Sequence, residues 1–150
     1  MQPDRETVYG ALNTVLSDAL TVGSPPSFVT VDRKILTAQN FSRANQPGLF
    51  QVQKSETYTA RKGVPPVRKF LADLVIYNYT GQDNTAIPSA ALNGLVTAVE
   101  NALAPNVATA FQQLGVPVSS CIINGTIEYF EGVLGVWAVA VVPVEIIANY

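Results

Sequence analysis

The sequence predicts an α+β fold: an antiparallel or mixed sheet of about four to five strands with two helices packed on one face. Three observations carry this expectation. Two segments repeat apolar residues at helical spacing, whereas several others alternate or run continuously apolar with many β-branched side chains. Their order along the chain is helix, strands, helix, strands. The length, 150 residues, suits a single domain, residues 1–150, built on one core.

Residues 4–20 form the first expected helix, with Val8, Leu12, Val15, Leu16 and Leu20 as its apolar stripe. Asp4 fits the N-cap, Glu6 suits the first turn, and Gly23, Pro25 and Pro26 end the helix. Phe28 to Val31 reads as a short strand. The polar, weakly patterned stretch through about Gly48 reads as a loop with room for one more short strand. Leu49 to Tyr58 alternates at Phe50 and Val52 and then turns polar, as a strand leaving the core for solvent does. Tyr58 to Lys69 contains Gly63, Pro65 and Pro66 and reads as a connection.

Phe70 to Tyr79 is expected to be a strand apolar on both faces, with Phe70, Leu74 and Ile76 on one and Leu71, Val75, Tyr77 and Tyr79 on the other. Such a strand is central in a sheet or pressed against a partner. Gly81 to Asn84 reads as a turn. Pro88 to Ala104 is the second helix, with Pro88 at its first position, Leu92, Leu95, Val96, Val99 and Leu103 facing the core, and Pro105 as the stop. Residues 106–116 leave room for one helical turn before Gly115. Val118 to Phe130 and Val136 to Ile147 are expected as adjacent antiparallel strands joined through Glu131 to Gly135. Pro143 cannot donate a ladder hydrogen bond, so it calls for a bulge or an edge position.

Composition excludes several kinds of chemistry. Histidine is absent, which removes nucleophile systems that need an imidazole base, and zinc sites that use one. One cysteine, Cys121, permits no disulfide within the chain and fits a reduced, intracellular setting. In its strand context it reads as a small buried hydrophobe. The polar start Met1 to Glu6 lacks the apolar core of a secretory signal. Val133 to Ala148 carries Pro143 and Glu145 and falls short of the roughly 20 residues of a membrane helix, so it reads as a buried strand and no membrane partner is expected.

The net charge of −2 hides a polarised chain. Between positions 33 and 69, eight cations face Glu56 alone, a local charge of +7. From position 70 onward there is no Lys or Arg, and six acids give −6. Arg61, Lys62, Arg68 and Lys69 form a basic cluster around the Gly63/Pro65 connection. It could contact phosphate, sit as a solvated tip, or face the acidic half of a neighbouring copy in a head-to-tail ring. The last reading fits best, and these four residues together with Glu128 and Glu131 are the candidate interface residues. Glu128 and Glu131 could also be paired carboxylates for acid/base work, but solvated acids at a strand end are ordinary. Gly81 to Thr85 lacks the terminal Glu of a calcium loop and reads as a plain turn. No catalytic residue, cofactor or metal is expected.

The opening Arg5-Glu6-Thr7-Val8-Tyr9-Gly10-Ala11-Leu12 resembles the first helix of the tail-terminator (tail-completion) proteins of long-tailed bacteriophages. Gln46 to Gln53, Gly63-Val64-Pro65-Pro66 and the helix Ala91 to Leu103 are similar to the same family. So are Asn124 to Glu128, Glu131 to Gly135 and Ala138 to Val144. The resemblance spans nearly the whole chain and rests on the order of weak pieces; residues 24–45 add little to it. It implies a ring, typically a hexamer, that caps the tail-tube protein, ends tube polymerisation and joins the tail to the head–tail connector protein. DNA would pass through the lumen without specific binding, and the protein would be assembled in the host cytoplasm into the virion. The alternatives are another phage neck or minor tail protein, or a small non-catalytic protein-binding domain.

Overall fold

A computed structural model describes residues 3–37, 40–79, 87–105, 112–116, 118–131 and 137–149. Helix α1 (Arg5–Leu20) is followed by strand β1 (Thr30–Asp32) and a 3₁₀ turn (Arg43–Asn45). Next come β2 (Gly48–Arg61), β3 (Val64–Tyr79), helix α2 (Pro88–Ala102), β4 (Ser120–Ile123), β5 (Glu128–Glu131) and β6 (Trp137–Asn149). Among the described residues the strands form one mixed, six-stranded sheet in the order β1-β2-β3-β6-β4, with β5 also on β6, curled into a half-barrel. The β1–β2 pair is parallel and the other pairs are antiparallel. The α+β class, the mixed sheet and the two helices on it follow the sequence expectation; the strand count is slightly higher.

Both helices form where capping and apolar spacing agree. The Thr7 N–H donates to Asp4 Oδ1 at 2.7 Å, which caps α1 and holds the Asp4 carboxyl below its ordinary range. Val8, Leu12, Leu16 and Leu20 of α1 are buried with Leu92, Val96 and Val99 of α2 in one cluster. The sheet side of that cluster is Phe70, Ala72, Leu74 and Ile76 of β3 and alternate residues Ala138 to Ala148 of β6. Tyr9 meets Phe70 edge-to-face at 5.5 Å, and the buried Gln51 amide donates to the Tyr9 carbonyl at 2.9 Å.

Three expectations are corrected. Tyr58 to Lys69 is not a connection: β2 runs to Arg61, β3 starts at Val64, and Lys62-Gly63 is a two-residue turn with Gly63 at φ +76°. The prolines are tolerated because β6 joins β3 only from Val67. Val118 to Phe130 is not one strand but two, β4 and β5, which pair with successive stretches of β6. Between them Gly125 takes φ +127°, and a Cβ there would lie 3.0 Å from the Pro143 ring. The short strand expected at Phe28 to Val31 lies instead at Thr30–Asp32. The expected turn at Gly81 to Asn84, most of residues 106–116 and the Gly132–Gly135 connection lie outside the described residues.

The Pro143 conflict resolves at the junction of β4 and β5. Its carbonyl accepts from the Asn124 N–H at 3.1 Å, so its backbone faces the gap between those strands rather than β3. A missing N–H there removes nothing from the β3–β6 ladder.

Candidate functional site

The alternation of β3 separates the expected basic cluster. Arg68 lies on the helix side and is 6% exposed. Its guanidinium sits 5.1 Å over the Phe70 ring, and Nη2 donates to the Pro3 carbonyl, so it ties down the start of the chain. Lys69 lies on the opposite face, 3.8 Å from Glu145 Oε2, whose other contact is the Asn124 amide at 2.9 Å. Arg61 and Lys62 remain together at the exposed hairpin tip. Arg61 donates to the Pro65 carbonyl at 2.8 Å, and Lys62 has no ion-pair partner among the described residues.

The two acids of β5 are likewise divided. Glu128 is paired in register with Val141 and lies on the face away from the helices. Glu131 is paired with Ala138 on the helix side, and its Oε1 accepts the Ser89 N–H at 2.8 Å. That bond caps α2 from a distance, since the residue before Pro88 is Ile87 and offers no side-chain acceptor. Paired acid/base carboxylates are therefore not formed.

Reactive chemistry is also absent at Cys121. It is 1% exposed on β4, and burial pushes its thiol up to about 12, so the nucleophilic thiolate is suppressed. Among the described residues, no group of three or more His, Cys, Asp or Glu could hold a metal ion. No helix among them is long and apolar enough to cross a membrane.

What the fold leaves open is surface. On the face away from the helices, Phe41 drops from the loop before β2 onto Phe50, Tyr77 and Trp137, with ring centroids 5.1, 6.2 and 6.4 Å away. Arg43 stacks 4.4 Å over Tyr79 beside them. Elsewhere on that face Leu71, Val75, Val141 and Ile147 are half-buried, with no further layer of secondary structure over them among the described residues. Beside Asp73, Asn124 and Glu128 it dips into an open groove of about 350 Å³.

Each flank of the sheet keeps an open stretch among the described residues, although β4 is bridged on its outer side, where the Cys121 N–H donates to the Gln112 carbonyl at 2.8 Å. β1 covers β2 only from Gly48 to Phe50, so Gln51 to Arg61 has a strand neighbour on one side alone. Arg5 binds Glu56 at 2.8 Å and Tyr58 at 2.7 Å on this side, and Arg33 pairs with Glu6. Lys34, Arg61 and Lys62 add further positive charge, and Lys54 is paired with Asp73 at 3.9 Å. On the far side, all four residues of β5 are exposed: Glu128, Tyr129, Phe130 and Glu131.

No family model matches this chain, and no curated protein matches it.

The chain's charge polarity thus becomes a polarity across the sheet. The cationic segment 33–69 builds β2 and the start of β3, and the cation-free segment builds β6, β4 and β5. Sequence reading singled out Arg61, Lys62, Glu128 and Glu131, which stay on these two flanks, and Arg68 and Lys69, which do not act with them. It missed Tyr129 and Phe130, 43% and 38% exposed. The signal was present: two aromatics between two acids in a stretch without cations.

Proposed function

We propose that this protein is a structural subunit without catalytic activity that assembles head-to-tail into a ring of the tail-terminator type. The ring would cap the tail tube of a long-tailed phage, end tube polymerisation and join the tail to the head–tail connector. The resemblance of its ordered segments to that family motivates the reading. The observation that carries it is the segregation of charge onto the two flanks of one open sheet. Two different, complementary surfaces on one molecule suit heterologous contacts, which close into rings when the rotation between copies permits. The half-buried apolar face away from the helices adds a surface that further subunits of the same assembly would cover.

The test is the solution mass by light scattering over a range of concentrations, alone and with tail tubes, followed by imaging. A closed species near six times 16.0 kDa, or a ring seated on tube ends, is expected. A monomer that neither closes nor caps tubes would overturn the proposal and favour a small protein-binding domain.

A further inference from the structure

The two open edges match each other in backbone, length and charge. In an antiparallel ladder each residue turns its N–H and C=O toward one neighbouring strand, and successive residues alternate. The carbonyls of Pro143 and Ile147 accept from Asn124 and Ser119, at 3.1 and 2.7 Å, so these residues face β4 and turn away from β3. Their partners' parity on β3 then turns Asp73, Leu71 and Lys69 toward β2, and Phe70 and Arg68 toward β6. Glu56 and Tyr58, opposite Phe70 and Arg68, therefore direct their backbone groups outward at the free edge of β2. By the same alternation, Glu128 and Phe130 bond to β6, and Tyr129 and Glu131 point theirs outward from β5.

The usable lengths also agree. Register shifts interrupt β2 at Gln53/Ser55 and at Thr59/Arg61, leaving Ser55 to Thr59 as regular strand between them. That stretch spans about 17 Å, and the four residues of β5 span about 13 Å, at roughly 3.3 Å per residue. Irregularities and a lysine at a strand edge discourage indiscriminate pairing, so what remains between them is a defined slot. Glu56 within the slot is already neutralised by Arg5. Arg61 and Lys62 flank it at one end, opposite in sign to Glu128 and Glu131, while Lys54 at the other end pairs with Asp73 at 3.9 Å.

We propose that β5 of one copy adds to the free edge of β2 in the next copy, across Ser55 to Thr59. This inference rests on the self-assembly reading above and names its contact. Strand addition satisfies the outward groups of Glu56, Tyr58, Tyr129 and Glu131, and it buries the exposed Tyr129 and Phe130 against the neighbouring arm. The donor and acceptor edges are different, so each copy uses both and the sheet continues from subunit to subunit.

The experiment is a charge exchange read by sedimentation of the full chain at low and high salt. The variants are Arg61→Glu/Lys62→Glu, Glu128→Lys, and all three substitutions together; Glu131 is spared because it caps α2. Each partial variant is expected to weaken self-association by about tenfold or more at low salt, and the combined variant to recover most of the loss. Tyr129→Pro removes an outward N–H while keeping the β5–β6 ladder, and is expected to abolish association without lowering the unfolding midpoint; Tyr58→Pro removes the outward N–H at the other edge and is read against Tyr58→Ala, which loses the same Arg5 contact but keeps the N–H and the association. If the native chain assembles and the charge variants assemble equally well, or if both proline variants fold and assemble normally, the inference is overturned and the self-assembly reading stands. A native chain that associates under no condition, alone or with tubes, overturns both.

Discussion

Phe41 is held on the sheet by the absence of a side chain at Gly48. A Cβ on Gly48 would lie 2.3 and 2.6 Å from two atoms of the Phe41 ring, far inside contact distance. Gly48→Ala must therefore push the ring aside or shift the backbone where β1, β2 and β3 are paired. Phe41 is 3% exposed, so displacing it forfeits part of the roughly 1.5–3 kcal/mol that burying a large apolar side chain contributes. Losing the edge-to-face contact with Phe50 adds about 0.5–1.5 kcal/mol. Against this, replacing the glycine at the start of β2 returns at most about 0.5–1 kcal/mol of chain entropy. A net destabilisation of about 1–3 kcal/mol is expected, in line with other overpacked sites. The assay is urea unfolding followed by the fluorescence of Trp137, the single tryptophan, whose ring centroid is 6.4 Å from that of Phe41. Phe41→Ala should be destabilising by itself, and in its background Gly48→Ala should cost little, giving a coupling of about 1 kcal/mol or more. Strict additivity of the two, or a Gly48→Ala variant as stable as the native chain, would refute this account of the Phe41 contact.

Three further outcomes follow from single contacts. Glu131→Ala should destabilise the fold by about 1 kcal/mol through loss of the α2 cap, with Glu131→Gln costing less because it keeps an acceptor; thermal unfolding checks both. Asp4 has a folded pKa below the ordinary carboxyl value of 3.8, so its contribution is present above that value and is lost as pH falls through the folded pKa. The stability gap between the native chain and Asp4→Ala should therefore be widest near neutrality and shrink in acid, as denaturant midpoints across pH would show. Cys121, its thiol raised to about 12, should resist thiol reagents at pH 8 in the folded protein and react once urea unfolds it; fast labelling of the folded chain would contradict its burial.

Local pattern determined a good deal of this protein. The helical spacing of Val8, Leu12, Leu16 and Leu20, the Asp4 cap and Pro88 at the head of α2 are short-range features, legible because a helix satisfies its own backbone. The double-faced apolar character of β3 and β6 was legible for a similar reason: it marks strands that lie centrally, whatever their order. The lack of histidine, and of cations after Lys69, needed no structure at all. Tertiary structure alone decided which side of the sheet each residue serves. Strand alternation sent Arg68 under α1 and Lys69 to the other face, although they are adjacent in sequence. Pairing with successive stretches of β6 split β4 from β5, and a tight turn converted the proline-containing connection into a long hairpin. Strand order placed β2 and β5 on opposite flanks, and so turned a gradient of charge along the chain into a difference between two edges. Such order depends on pairings between residues far apart in sequence, which no local window contains.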